Sequence, residues 1–287
     1  MGTDDQRVTE QDIFEAKWYL NGFPKSGTHM LVQLVRPVAN LNPGTERGLW
    51  RQPWAGTFDG NSWTNEWMGL ERTCFKAGRL RGGHILKAHS GHCDDLERFL
   101  YLLGTAHVFI YRDPRDVAVS QAHHILSARE DDHLAHPEPE LYEALGGFDE
   151  VLEAVIVGLG RYPGVMARWE MYAPWLDVDW VLSVRFEDVR TDPERWAKVV
   201  LRYGLNRTAG IWGHEIEFEP SGFEAVTAVM ANATRQRDKS PTFRKGEVGG
   251  WREAFTERHR RLFQESDSNG WLVRLGYEET EDWVCQN

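Results

Sequence analysis

The sequence is poor in cysteine. It has three, Cys74, Cys93 and Cys285, and no two form a CxxC pair. That excludes a disulfide framework and suits a reducing compartment. No apolar run approaches the length of a membrane helix. The N-terminus, Met1-Gly2-Thr3-Asp4-Asp5, has neither a basic n-region nor an apolar h-region. An excess of positive charge is also missing: Lys+Arg 33 against Asp+Glu 44 gives a net charge of -11. This argues against general nucleic-acid or anionic-membrane binding, but leaves room for a local basic pocket for a small anion. Internal repeats and low-complexity segments are absent. The expectation is a soluble, cytoplasmic protein with neither a nucleic-acid nor a membrane partner. Its 287 residues make one large domain or two small ones. Thirteen Trp supply core packing and aromatic walls for a flat ligand.

What is present is organised around residues 18–31. Trp18-Tyr19-Leu20 is a short aromatic and apolar run of strand type. Gly22, Pro24 and Gly27 break it within six residues. Leu31, Leu34, Val35 and Val38 then recur at helical spacing. A strand-loop-helix of this kind aims backbone N–H groups and a helix N-terminus at one point, which suits an oxyanion. Gly22 and Gly27 have the Walker A separation, yet Thr28 stands where that pattern needs Lys, and the lysine lies inside the loop as Lys25. Ser26 and Thr28 add hydroxyl donors. A strand-to-helix turn needing its glycines only for geometry would share these features, so the loop alone does not decide.

Residues 1–15 read as a polar tail and 16–287 as the folded domain. Residues 41–83, rich in Gly and Trp, read as an irregular insertion that lines a site or carries short helices. A strand is expected at 84–87, then a helix capped by Asp94 or Asp95 and ended by Gly104. Residues 107–111 read as a buried strand, followed by a helix with Asp113 as N-cap and Pro114 at its first position. Helices are expected near 149–159 and 161–172, a strand at 180–186, a helix from Thr191 to Tyr203 closed by Gly204, a flap over 232–250 and a helical tail over 251–277. Alternating strands and helices predict an α/β fold: one P-loop-type domain with a central parallel sheet flanked by helices.

The second motif, Tyr111-Arg112-Asp113-Pro114-Arg115-Asp116-Val117-Ala118-Val119-Ser120, again puts a cation at the carboxyl end of a strand, where ligands of open α/β sheets bind. Arg112 and Ser120 suit a second phosphate. Phe243-Arg244-Lys245-Gly246 forms a third basic cluster. Anions at two positions fit this layout better than ATP does. His84, His89, His92 and Cys93 lie close together but match no standard zinc spacing, so no metal is expected. His123 and His124 read as pocket wall or core edge, and Asp113 and Asp116 as helix-cap and first-turn acids.

Together these residues resemble the PAPS-dependent sulfotransferase superfamily. Pro24-Lys25-Ser26-Gly27-Thr28 is similar to its 5′-phosphosulfate loop, and the segment Tyr111 to Ser120 to its 3′-phosphate motif. Phe186-Glu187-Asp188 resembles its Tyr-Glu-Asp segment. Arg244-Lys245-Gly246 with Gly249 and Trp251 resembles its C-terminal RKGxxGDW motif. The four motifs span roughly residues 18 to 260 in the right order.

The resemblance implies that Lys25 steadies the bridging oxygen as the S–O bond breaks. It implies that Arg112, Ser120, Phe243, Arg244, Lys245 and Gly246 hold the 3′-phosphate end, and that Phe223 stacks on adenine. His29 and Met30 belong to the donor-binding loop, and Phe186 to the donor site. Lys87-Ala88-His89 resembles the family's Lys-Thr-His, which makes His89 the general base and Lys87 a catalytic cation. The sequence departs from the pattern at His29, Met30, Phe186 and Gly250, and Glu257 and Arg261 break the family's dimer motif. The implied reaction is sulfuryl transfer from PAPS, without a metal, to a hydroxyl of a small-molecule acceptor. Residues 41–83 and 125–160 would shape the acceptor pocket. The alternatives are an ATP-dependent P-loop kinase, against which Thr28 counts, and a catalytically silent nucleotide-binding module, against which the presence of both Lys25 and His89 counts.

Overall fold

In the computed structural model the described residues are 16–40, 66–130, 145–160, 162–212, 220–235 and 247–283. Strand β1 (Lys17–Gly22) leads through a tight loop into α1 (Thr28–Asn40). Helix α2 (Glu66–Ala77) precedes β2 (Ile85–Ala88), and α3 (Asp94–Leu102) returns the chain to β3 (Thr105–Tyr111) and α4 (Pro114–Glu130). After α5 (Phe148–Val157), two short strands, β4 (Gly158–Leu159) and β5 (Tyr162–Pro163), pair antiparallel. Helix α6 (Val165–Trp169), a 3-10 turn (Ala173–Asp177) and β6 (Leu182–Arg185) follow. The chain continues through α7 (Phe186–Thr191), α8 (Pro193–Trp212), α9 (Pro220–Thr234), α10 (Trp251–Ala254), α11 (Glu257–Ser266) and α12 (Trp271–Arg274).

The main sheet is parallel in the order β2-β1-β3-β6. Its central strands are apolar on both faces, as expected where helices cover both. Side chains alternate accordingly. Trp18, Leu20, Val108 and Ile110 enter a core shared with Leu31, Leu34 and Val35 of α1, with α8 and with α9. Tyr19 and Phe109 enter the opposite core, with Val117 of α4, Val151 and Leu152 of α5, and Trp169, Trp175 and Trp251. This is the α/β architecture with a central parallel sheet that the alternating pattern predicts. Among the described residues no helix is long and apolar enough to cross a membrane.

Several local expectations need correction. The helix at 94 has Cys93 at its N-cap, with no side-chain cap bond; Asp94 and Asp95 lie in its first turn and act on the helix dipole instead. Residues 41–83 do carry a helix of their own, α2, as expected for that insertion. The second helix expected near 161–172 is short, because the β4–β5 pair occupies its start. Gly204 does not end its helix, since α8 runs through it to Trp212. A Cβ at Gly204 would collide with the Trp18 indole, so this glycine permits close helix–sheet approach. The tail after 251 is three short helices and not one. Residues 1–15, the four Trp of 50–67 apart from Trp67, most of the flap and Phe243 to Gly246 lie outside the described residues; Trp67 lies on α2.

Candidate active site

Strand register brings the chemistry-bearing segments to one edge. Gly22 pairs with Ile110, Asn21 with Ala88, and Tyr111 with Arg185. The next residues, the Phe23–Gly27 loop, His89, Arg112 and Phe186, therefore leave the sheet at its carboxyl edge. The chain goes from β1 to β2 on one side, then to β3 on the other, so this edge is also a topological switch point, where open sheets bind ligands.

The loop is built for an anion. Lys25 and Gly27 have φ of 68° and 99°, in the left-handed region. A Cβ at Gly22 would sit 2.7 Å from Ile110 Cγ2, and one at Gly27 would collide with the Phe186 ring. Both glycines are thus required by packing. Ser26 N donates to Phe23 O (3.0 Å) and Leu31 N to Gly27 O (3.1 Å), so α1 starts directly behind the loop. Its first-turn amides have no intrahelical acceptor. Ser26 Oγ and Thr28 Oγ1 are buried without a hydrogen-bond partner. Orphaned donors on a helix N-terminus fit a phosphate or sulfonate oxygen. Pro24 is buried in the turn, while Lys25 is half-buried.

Lys25 and Lys87 each have a pKa lowered to about 8. Burial is the main cause for both, and Lys87 and Arg112 add to it for Lys25. His29 lies on the first turn of α1, and its Nε2 is 2.9 Å from Lys87 Nζ. Burial, then Lys87, Lys25 and Arg36, lower His29 to about 4. His89 is buried and its Nδ1 lies 2.7 Å from Gly22 O. A carbonyl only accepts, so Nδ1 carries the proton and Nε2 keeps its lone pair. Burial, and then Lys87, lower His89 to about 3, although its bond to Gly22 acts the other way.

The backbone that carries His89 is pinned. Asn21 accepts from Ser90 N (2.8 Å) and donates to Ser90 O (2.9 Å), and Tyr172 Oη donates to His89 O (3.1 Å). Sequence reading missed Asn21 and Tyr172. Asn21 had a signal, a lone amide at the end of an apolar strand. Tyr172 had none, since its contact spans 83 residues. His124 lies on α4, and burial and then Lys25 lower it to about 4.

Arg112 stands at the other end. Its Nη2 donates to Asp116 Oδ2 (3.3 Å) and to Glu247 O, and its Nε is buried without a partner. The Phe186 ring, packed against Gly27, lies 4.5 Å from the guanidinium carbon. One side chain thus spaces the two cationic segments. Asp113 caps α4 by accepting from Arg115 N (2.9 Å), as its sequence position implies. Asp116 does more than serve the first turn. Its carboxylate accepts from Gly249 N (2.8 Å) and Trp251 N (2.9 Å), tying the C-terminal segment to Arg112. Glu187 accepts from Asp113 N (3.1 Å) and Tyr277 Oη (3.0 Å). Ser120 is half-buried, one helical turn beyond Asp116 on the same face of α4.

Met30 and Phe223 are buried in one cluster between α1 and α9, and Arg202 covers the Phe223 ring at 5.2 Å. The His–Cys group near residue 89 does not converge. His92 pairs with Glu97 (2.7 Å), His84 Nδ1 accepts from Arg81 N (3.3 Å), and His89 serves Gly22. Among the described residues no three His, Cys, Asp or Glu side chains are grouped to hold a metal.

A glycine-bearing loop at a helix N-terminus, with cations at the carboxyl edge of a parallel sheet, makes this a P-loop-type α/β fold. The family model described as the sulfotransferase domain matches residues 16–267, and the chain belongs to that family. Among curated proteins it is similar to sulfotransferase 1A1 of Bos taurus, 26% identical over 167 residues. That match covers 55% of this chain and 52% of the relative, so it spans about half the relative's length. Among solved structures it is similar to mouse sulfotransferase SULT7A1 complexed with PAP, with a TM-score of 0.55 and 18% identity, covering 96% of this chain and 90% of that one. Retinol dehydratase in complex with androsterone and inactive cofactor PAP gives a TM-score of 0.50 at 18% identity, covering 88% and 79%.

Proposed function

We propose that this protein is a PAPS-dependent sulfotransferase that moves a sulfuryl group to the hydroxyl of a small phenol or alcohol. The observation that carries the reading is the shared edge: the orphaned hydroxyls of Ser26 and Thr28, the two lysines and Arg112 converge around Phe186 and Gly27, beside a histidine whose Nε2 is free to accept a proton. The PAP-bound structures similar in fold support the same donor.

In this reading the donor's 5′-phosphosulfate lies on the loop, against Ser26, Gly27, Thr28 and the first-turn amides of α1. Arg112 and Ser120 hold its 3′-phosphate, joined by Phe243, Arg244, Lys245 and Gly246. Met30 and Phe223 flank the adenine. The acceptor oxygen attacks sulfur in line, and the bond from sulfur to the bridging oxygen breaks. Its electron pair leaves on adenosine 3′,5′-bisphosphate, and the acceptor proton goes to His89 Nε2. Such transfers pass through loose transition states with charge spread over oxygens, so positioning and neutralisation do most of the work. Lys25 and Lys87 supply the neutralising charge. Donor anions beside both lysines offset the part of the His89 shift that Lys87 and Lys25 cause, so the base strengthens when the donor is bound, while burial, the larger cause, remains.

Incubation with sulfur-labelled PAPS and a panel of phenols, aliphatic alcohols, amines and glycans tests the reading. Labelled phenol or alcohol ester is expected. With a productive acceptor, His89→Ala is expected to lower turnover roughly 10²–10⁴-fold while PAP still binds. A His89→Ala enzyme of normal turnover would remove His89 as the base, and label on no hydroxyl acceptor would remove the assignment.

A further inference from the structure

We propose that His29 is a positioning residue whose imidazole holds the Lys87 ammonium over the phosphate loop, aimed at the group being transferred. The proposal rests on the sulfuryl-transfer reading above. The contact is Lys87 Nζ to His29 Nε2 at 2.9 Å. An ammonium only donates, so Nε2 accepts and the ring is neutral with its proton on Nδ1. His29 therefore has two separate parts. Its amide belongs to the first turn of α1 that faces the anion site, and its ring is committed to a cation on the neighbouring strand.

A lysine side chain is rich in rotamers, and each hydrogen bond that orients its ammonium removes part of that freedom. β2 places the Lys87 backbone beside Leu20, two residues before the loop, and leaves the side chain half-buried. A fixed acceptor on a helix removes part of that freedom before the donor arrives, which is the condition for electrostatic preorganisation. The charges acting on His29 come from Lys87, Lys25 and Arg36, and Lys87 in turn acts on His89. Burial, and after it these three cations, disfavour a protonated ring, so His29 remains an acceptor across the neutral range.

The test compares His29→Leu, which removes the acceptor, with His29→Gln, which keeps one at the end of a longer side chain. His29→Asn, polar but too short to reach Nζ, repeats the loss without an apolar exchange. The first readout needs no donor: the full chain is treated with an amine-acylating reagent at pH 7.5, and Lys87 modification is followed by mass spectrometry. Losing the acceptor removes one hydrogen bond from the charged form and lowers the lysine pKa further, so Lys87 is expected to react about two- to threefold faster in the Leu and Asn variants and near the native rate in Gln. The second readout is kinetic. kcat is expected to fall about tenfold in Leu and Asn and to recover in Gln, with KM for the donor within about threefold throughout. Equal Lys87 reactivity in all variants would overturn the proposal. So would a raised donor KM at unchanged kcat, which would make His29 a direct donor contact. If the sulfuryl-transfer reading itself fails, the native enzyme shows no transfer at all, and the labelling result remains readable on its own.

Discussion

Lys25 and Lys87 stand close to half protonation at pH 8, and that has a measurable consequence. Their pKa is lowered, so the charged form dominates below about pH 8 and is lost as pH rises through it. In the unliganded enzyme, kcat/KM for the donor is expected to fall on the alkaline side with a midpoint near 8. Bound anions favour the ammonium, so the alkaline limb of kcat is expected at higher pH. A pH series of initial rates checks both, and coincident limbs would contradict the assignment. At this scale the sequence was informative. Lys25, Ser26, Gly27, Thr28, His89 and Arg112 all reach the expected edge. Their spacing relative to strand ends is local, and parallel register carries it across the sheet. Asn21, Tyr172 and the second role of Asp116 were not legible in the same way. Each acts through partners 69 to 135 residues away, and no short-range pattern encodes those meetings.

Element boundaries followed from local chemistry where the chain decides them locally. Asp113-Pro114 starts α4 as a capping residue and an N1 proline should. Gly204 shows the opposite case. As a helix stop it would be local, but it is fixed by the Trp18 indole across the core. The two roles predict opposite signs for one substitution. Glycine to alanine inside an unencumbered helix stabilises by about 1 kcal/mol. Here the added methyl meets a buried indole, and overpacking of this kind costs roughly 1–3 kcal/mol. Gly204→Ala is expected to lower the midpoint of chemical denaturation, and a raised midpoint would show that the core yields at this point. Asp94 and Asp95 teach the same lesson on a smaller scale. Their composition marks a helix start correctly, while the capping position is one residue earlier.

For the whole molecule, the two apolar faces of the sheet set the three-layer arrangement, and periodicity made that legible. Core packing also buries groups that titrate. His107 on β3 is fully buried, with neither ring nitrogen bonded, among Tyr19 (4.8 Å), Trp175 (4.5 Å) and Trp180 (5.8 Å). Burial, followed by His92 and Arg207, lowers its pKa to about 3. The unfolded histidine titrates near 6.5, so the unfolded chain binds a proton that the native site refuses. Stability is therefore held above that pH and lost as pH falls towards 3, at roughly 1.4 kcal/mol per pH unit. His107→Phe removes this proton uptake, and about 2 kcal/mol less destabilisation is expected between pH 6.5 and 5. Thermal melts of both chains at the two pH values check it, and parallel pH dependence would contradict it.

In the proposed function, the loop at Lys25 and the cation at Arg112 grip one nucleotide at two anionic ends. Titration calorimetry of adenosine 3′,5′-bisphosphate against adenosine 5′-phosphate, in the native chain and in Arg112→Ala, tests it most directly. The native chain is expected to prefer the bisphosphate strongly, and Arg112→Ala to lose most of that preference while still binding the monophosphate. Unchanged discrimination in the variant, or equal affinity for both ligands in the native chain, would contradict it.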